Sequence, residues 1–309
     1  MPNVQIYPSR TIFIPNDRIS KILFNLTEEE FRQLTEEAQG NLQITEVRKH
    51  KRFGEIVTPV VISIDDNAEI SISEPLDQFD CAVLSVCISE YHFGNRFTTP
   101  AIIYRGLTGK IGRGDAEPSV DQLAAINHSV KKLMRIQLDI YLYDVCEYLG
   151  YNDGQKKRLL ANVLPCKQVD YTINGQKTSI IELLSESPLW TVAHLKNDQI
   201  ISYDTALLDM PNQQNTPMLT TVKHYVMRRV MEIILHNKQM TPSITFADVF
   251  QKCRLENADN KKKQRVRNFI SNFFDHLIEH EVIKSFQFNK KGTGFYSVSF
   301  KFDKVASKD

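Results

Sequence analysis

The chain has 309 residues, 42% of them hydrophobic and 24% charged, which suits a globular protein of two or three domains and leaves no run of about 18 apolar residues to cross a membrane. The net charge of +1 hides an asymmetry: residues 1–211 carry 21 Lys and Arg against 28 Asp and Glu, whereas residues 212–309 carry 17 against 9, a balance that suits a polyanionic partner. No charged-then-apolar leader opens the sequence, and the five cysteines (Cys81, Cys87, Cys146, Cys166, Cys253) lack CxxC spacing. The pattern excludes a disulfide framework and a cysteine zinc site, and reads as a reduced, cytoplasmic chain.

Residues 1–74 read as a small α+β N-terminal region. Thr27-Glu28-Glu29-Glu30 has the form of a capping box opening a helix that runs to about Gln39, with Gly40 as its stop. Leu42, Ile44 and Val47 suggest a strand. Val57–Ile64 and Glu69–Ser73 alternate apolar and polar residues around Asp65-Asp66-Asn67, so they are expected to form a hairpin.

Residues 75–211 form a second unit. Pro75 is suited to the first position of a helix carrying Leu76, Phe79, Val83, Val86, Cys87 and Tyr91, closed by Gly94-Asn95. Thr99-Pro100 opens a second helix, closed by Gly109. Ser119, with Gln122 in the capping-box position, opens a third that carries Leu123, Ile126, Val130, Leu133 and Met134. Ile136, Leu138, Ile140 and Leu142 alternate as a strand. A long insertion over roughly 143–200 follows. It contains a hairpin about Ile173-Asn174-Gly175-Gln176, a short helix near Pro188–Leu195 and the start of a strand at Gln199–Tyr203.

The polar linker of residues 212–217 leads to a third unit, 212–309, with its own apolar core and therefore expected to fold alone. Its helix over about Thr221–His236 is followed by an extended Ser243–Thr245 and a helix from Phe246 to about Leu255. A third helix runs from about Asn260 to His280, burying Val266, Phe269, Ile270, Phe273 and Leu277. Strands around Ile283–Phe288 and Phe295–Phe302 finish the chain.

Three helices followed by a β-hairpin is the order of a winged helix, so the expected fold is α+β, with two tandem winged-helix domains behind the N-terminal region. In such a module the third helix can enter a major groove and the wing can lie on the sugar–phosphate backbone. In the basic unit this singles out Lys261, Lys262, Lys263, Arg265, Arg267 and Asn268 at the third helix and Lys290 and Lys291 at the wing tip. The second unit offers Asn127, His128, Lys131 and Lys132. Lys and Arg neutralise phosphates, while Arg can pair with guanine and Asn with adenine edges.

The segments TPMLTTVKHYVMRRVMEIIL, ITFADVF and KKKQRVRNFISNFFDHLIEHEVI, over about 217–302 with the wing, resemble the second winged helix of Rep-type plasmid replication initiators. PLDQFDCAVLSVCISEYHFGNRFTTPAIIYRGLTGK resembles that family's first-domain opening. The resemblance implies a sequence-specific binder of repeated origin DNA from a bacterial mobile element, without catalytic residues, metal or cofactor. The third-helix starts near Lys131 and Lys261 would be its readers. Double-stranded DNA is the expected partner, with host replication proteins and a second copy of the chain as further implied partners. A transcriptional regulator or partition-type binder shares the same binding chemistry, and a winged-helix interaction scaffold is the rival from another class.

Other signals weigh less. His276-Leu277-Ile278-Glu279-His280 matches H-x-x-E-H and would make a metal-dependent hydrolase, but little acidic sequence follows to supply a third ligand. The glycine-rich stretch Gly106–Gly114 departs from a phosphate-binding loop: Tyr104 replaces the first Gly, Ile111 the Ser or Thr, and a helix precedes it where a strand is needed. Lys110 and Arg113 there are candidate phosphate contacts. Trp190 reads as packing. Tyr141, Tyr143, Tyr148 and Tyr151, placed around the first wing, are either base-stacking or ordinary core and surface aromatics.

Overall fold

Residue by residue, the secondary structure follows caps that the sequence supplies. In the computed structural model the chain begins β1 (Thr11–Pro15), α1 (Arg18–Leu23), α2 (Glu28–Glu36), β2 (Asn41–His50), β3 (Gly54–Ile64). It continues α3 (Gln78–His92), β4 (Phe97–Thr98), α4 (Pro100–Thr108), α5 (Val120–Leu133), β5 (Ile136–Tyr141), α6 (Tyr143–Tyr148), β6 (Arg158–Asn162), β7 (Cys166–Ile173), β8 (Gln176–Leu183), α7 (Pro188–Leu195) and β9 (Ile200–Asp204). It ends α8 (Pro217–Leu235), β10 (Ser243–Thr245), α9 (Phe246–Lys252), α10 (Asn260–Glu279), β11 (Ser285–Lys291), β12 (Gly294–Lys301). The structure describes residues 9–36, 41–50, 54–64, 74–111, 117–148, 158–173, 176–195, 199–211, 213–236, 240–292 and 294–303.

The capping residues explain where these helices start. Thr27 and Glu30 exchange side-chain and backbone bonds at α2, and Ser119 and Gln122 do the same at α5. Thr99 caps α4 ahead of Pro100, and Thr216, Thr245 and Asp259 cap α8, α9 and α10. At α3 the cap is Asp77, boxed by Asp80, so Pro75 stays outside the helix. Asp77 satisfies two orphan N–H groups there, which a proline two residues earlier does not offer. Gly109 ends α4 at φ +77° with the backbone of Thr205 and Asp209 pressed against it, where any Cβ would collide.

The chain is α+β, with several small antiparallel sheets. Two stretches share the order helix, short strand, helix, helix, hairpin, except that β5, α6 and β6 intervene before the hairpin of the first. They comprise α3-β4-α4-α5-β7-β8 and α8-β10-α9-α10-β11-β12. In each the short first strand pairs with the last, giving sheet orders β4-β8-β7 and β10-β12-β11.

Long-range pairing departs from expectation in three places. The strand of Ile136, Leu138 and Ile140, which turns all three residues inward, does not close the first hairpin. It joins a four-stranded sheet ordered β2-β3-β5-β6, matching Leu138 to Ile62 and Ile140 to Val60. The first hairpin is therefore β7–β8, inside what the sequence suggested was the insertion; its turn residues 174–175 lie outside the described residues. Second, β3 takes β2 and β5 on its two edges over Val60–Ser63, so a hairpin with 69–73 has no free edge there; 65–73 lie outside the described residues. Third, β1 pairs with β9, and Ser9 and Phe13 donate backbone N–H bonds to Glu90 and Ser89 of α3. The N-terminal stretch thus shares two sheets with residues 136–204.

Helix α8 lies at the joint and packs against both α3 and α10. It buries Leu219, Val222, Val226, Met227, Val230 and Ile233, each worth about 1.5–3 kcal/mol of transfer from water. Its buried polar groups find partners outside the basic unit, as burial demands. Lys223 donates to Leu208 O at 2.7 Å, Arg228 reaches Cys81 Sγ at 3.6 Å, and Glu232 pairs with Lys21 at 2.6 Å. The expectation that 212–309 stands alone changes accordingly. Excised at 212, the fragment loses all these partners, and we expect it to self-associate or melt far below the whole chain. Size-exclusion chromatography and thermal melting check this; a monomeric fragment as stable as the whole chain contradicts it. Among the described residues no helix is long and apolar enough to cross a membrane.

Candidate nucleic-acid interface

Helix α10 is amphipathic. Val266, Phe269, Ile270, Phe273, Phe274 and Leu277 point into the core. On the opposite side Lys261, Gln264, Arg265, Asn268 and Asn272 recur at i, i+3, i+4, i+7 and i+11 and are exposed. From Asn260 to Asn272 the helix contains no acid. Its side chains are partly preset: Gln264 donates to Asn268 Oδ1 at 2.9 Å, and Arg265 donates to Gln214 Oε1 at 2.7 Å. With Gln213, Lys262, the N-cap Asp259 and the apolar Met218, Leu219 and Phe269 they line a groove of about 720 Å³, in which Asp259 is the one acid.

The five basic residues expected at this helix start divide. Lys261, Lys262 and Arg265 stand on or beside the outward stripe. Lys263 and Arg267 turn toward α9 and are half-buried. The Lys263 ammonium donates to Glu256 O at 2.5 Å, and the Arg267 guanidinium sits 5.6 Å from the Phe246 ring and 5.4 Å from the Phe250 ring. These two cover an aromatic surface and flank the stripe.

At the hairpin tip Lys290 and Lys291 are exposed, with their ammonium groups 5.3 Å from Phe295 and 5.7 Å from Tyr296. A register shift between Asn289 and Lys290 turns the tip. Behind it Asn289 donates to Ser297 and Ser299 and ties the two strands together.

In the first repeat, the structure removes Lys132 from the candidate surface. Its ammonium lies 2.5 Å from Asp80, with the two side chains 5% and 2% exposed. One helical position moves a side chain by about 100°, enough to carry it from surface to core. Burial pushes the Asp80 carboxyl up, to about 6, with Asp77 adding to the rise and Lys132 opposing it. Asn127 is half-buried and accepts from Gln168 of β7 at 3.1 Å. His128 is exposed and Lys131 half-exposed, and the same helix also exposes Val120 and the acidic Asp121 at its start. This face carries one cation where its α10 counterpart carries three.

The remaining signals resolve structurally. His276 is buried, with its ring 4.4 Å from that of His280, and burial followed by His280 holds it below the usual histidine range. Among the described residues no group of three His, Cys, Asp or Glu side chains could hold a metal ion. Helix α4 precedes the glycine-rich stretch; Lys110 is half-buried, and Arg113 lies outside the described residues. Tyr141 donates to Asp139, which also takes a two-bonded Arg158, so this tyrosine belongs to the four-stranded sheet. Tyr143 stacks beside it, Tyr148 ends α6, and Tyr151 lies outside the described residues. Trp190 packs against Phe13 and His92. Burial raises the thiols of Cys81, Cys87 and Cys253, so none has the depressed pKa of a reactive nucleophile.

Sequence reasoning missed Gln264, Asn272 and Gln214. The spacing of Gln264 and Asn272 from Arg265 and Asn268 was the available signal for the first two; Gln214 became visible only through its contact. No family model, curated protein or solved structure matches this chain.

Proposed function

We propose that the chain is a sequence-specific double-stranded DNA-binding protein built on two winged helices, α3-β4-α4-α5-β7-β8 and α8-β10-α9-α10-β11-β12. The observation that carries this reading is the outward stripe of α10. It bears cationic and carboxamide side chains, carries no acid over its first three turns, and is accompanied by a hairpin tip with two lysines. Carboxamides bond adenine edges in the major groove and guanidinium pairs with guanine, while lysines contact phosphate. The second repeat supplies most of the phosphate affinity, through Lys261, Lys262, Lys290 and Lys291, with Arg265 as its base reader; α5 supplies a weaker contact through His128 and Lys131. The resemblance to Rep-type initiators favours a cytoplasmic replication initiator of a mobile element over a transcriptional regulator. Loss of plasmid maintenance without loss of repression would separate the two.

Fluorescence anisotropy against salt tests the reading. If about five phosphates are neutralised, log K falls with log salt at a slope of about −4.5; a slope near zero overturns it. Substituting Lys290 and Lys291 by Ala is expected to lower the slope by about 2 and weaken all DNA sequences alike. Arg265→Ala is expected to cost about 1–3 kcal/mol on the selected site and little on scrambled DNA. The opposite pattern would exchange the roles of helix and wing.

A further inference from the structure

The residues between the two repeats make more contacts than a connector requires. Three side chains from three helices converge on Gln214 and Asn215. From the first turn of α5, Gln122 donates to Asn215 O at 2.5 Å. From α8, the fully buried ammonium of Lys223 donates to Asn215 Oδ1 at 3.2 Å and to Leu208 O at 2.7 Å. From α10, Arg265 donates to Gln214 Oε1 at 2.7 Å. Thr216, next in sequence, is the N-cap of α8. The leading ends of α5 and α10 are thus joined through two consecutive residues anchored by a buried cation.

We propose that the linker Gln213–Thr216 is the gauge that sets the separation and angle of the two DNA-reading helices, with Gln122 and Gln214 as its positioning residues. This deepens, and rests on, the DNA-binding reading. Packing of α3 on α8 holds the two cores together. The linker grips the parts of α5 and α10 that would lie nearest the duplex, where a small rotation moves a side chain from one base pair to the next. Arg265 keeps further N–H donors for a base while one is held by Gln214. A guanidinium already oriented loses less rotamer freedom on binding, so its pairing with a base becomes more selective. The ligand class follows: a duplex with two contacted segments at one fixed spacing. A protein with two independent heads would accept several spacings.

The test uses the full-length protein and duplexes from a selected site in which one to three base pairs are inserted or removed between the contacted segments, plus a duplex holding one segment. Gln122→Glu retains the carbonyl-type oxygen that accepts from Ser119 N in the capping box and removes the donor to Asn215. Gln214→Ala changes an exposed side chain and frees Arg265. Wild type is expected to lose about tenfold or more in affinity when the spacing changes by one base pair. The double variant is expected to bind the altered spacings nearly as well as the original, with its thermal midpoint unchanged and any loss of overall affinity shared by every spacing and by the one-segment duplex. Wild-type spacing preference retained in the double variant overturns the gauge and leaves the DNA reading standing. Wild type without salt-dependent affinity for any duplex overturns both. Gln214→Ala alone, which removes no capping bond, provides the same comparison should the double variant melt early.

Discussion

Lys132→Ala is expected to destabilise the chain by about 3–5 kcal/mol, while Lys131→Ala, its neighbour in sequence, stays within about 0.5 kcal/mol. The difference lies in what each substitution leaves behind. Removing Lys132 strands the Asp80 carboxylate, 2% exposed, with its counter-charge gone at the point where α5 meets the start of α3. Asp80 also closes the α3 capping box by accepting from Asp77 N at 2.9 Å, so it cannot swing out to water without uncapping the helix. Urea unfolding of the two variants measures both effects. Asp80→Asn combined with Lys132→Met removes both charges and keeps the box acceptor, and is expected to recover most of the loss. If Lys132→Ala proves as mild as Lys131→Ala and weakens DNA binding instead, the buried pair is wrong and Lys132 returns to the interface.

A second large effect concerns acid. His224 lies buried on α8, and its ring bridges α4 and β9. The carbonyl of Leu107 can only accept, so Nε2 carries the proton and donates to it at 2.9 Å; Nδ1 then accepts from the Tyr203 hydroxyl at 3.1 Å. The Nδ1 bond requires the neutral ring, whereas the Nε2 bond to Leu107 survives protonation and opposes part of the downward shift. Burial, and then the adjacent Lys223 ammonium, push His224 down to about 3 from an ordinary 6.5. In the unfolded chain the ring takes up its proton near 6.5, whereas in the folded chain it does so only near 3. Between these values the unfolded state holds the extra proton, and stability falls as pH falls, by up to about 1.4 kcal/mol per pH unit. Above pH 6.5 this contribution is flat. Asp80 and Glu90, raised by burial, act in the opposite direction over part of the same range. The diagnostic is therefore the difference between wild type and His224→Gln, which cannot titrate and retains a donor and an acceptor. From pH 6.5 to 4 the wild type should lose stability relative to the variant; parallel pH profiles would show that the ring is free to protonate in the fold.

Local structure was largely legible because its causes are local. Ser119 with Gln122, Thr99 before Pro100, Thr245 and Asp259 each cap a helix through side chains within three positions, and apolar spacing marks the buried face of α10. Strand partners were not legible in the same way. Ile136, Leu138 and Ile140 announce a strand with one buried face, but that alternation is compatible with any neighbour offering a matching apolar row, and Val60 and Ile62 offered it. Charge guided the choice of site residues and failed where it was the wrong measure. Lys131 and Lys132 read alike in sequence and differ by one helical step. Gln264 and Asn272 carry no charge, although carboxamides are the groups suited to base edges.

The pairing of β1 with β9 also constrains how the chain is made. Thr205 donates to Arg10 O across 195 residues, and the strand-to-strand bonds around it close a loop of similar length. On a ribosome adding about 5–20 residues per second, the first strand waits on the order of ten seconds or more for its partner. During that time Ile12 and Ile14, both buried in the finished fold, have no sheet to join. The stretch from α3 to β8 can assemble its own contacts meanwhile, and α3 presents Ser89 and Glu90 as docking points for the N-terminal strand before β9 emerges. Synthesis thus lays down β1 early and gives it a partner only after the first repeat is complete, making β1 the strand most exposed to mispairing in a nascent or heat-stressed chain.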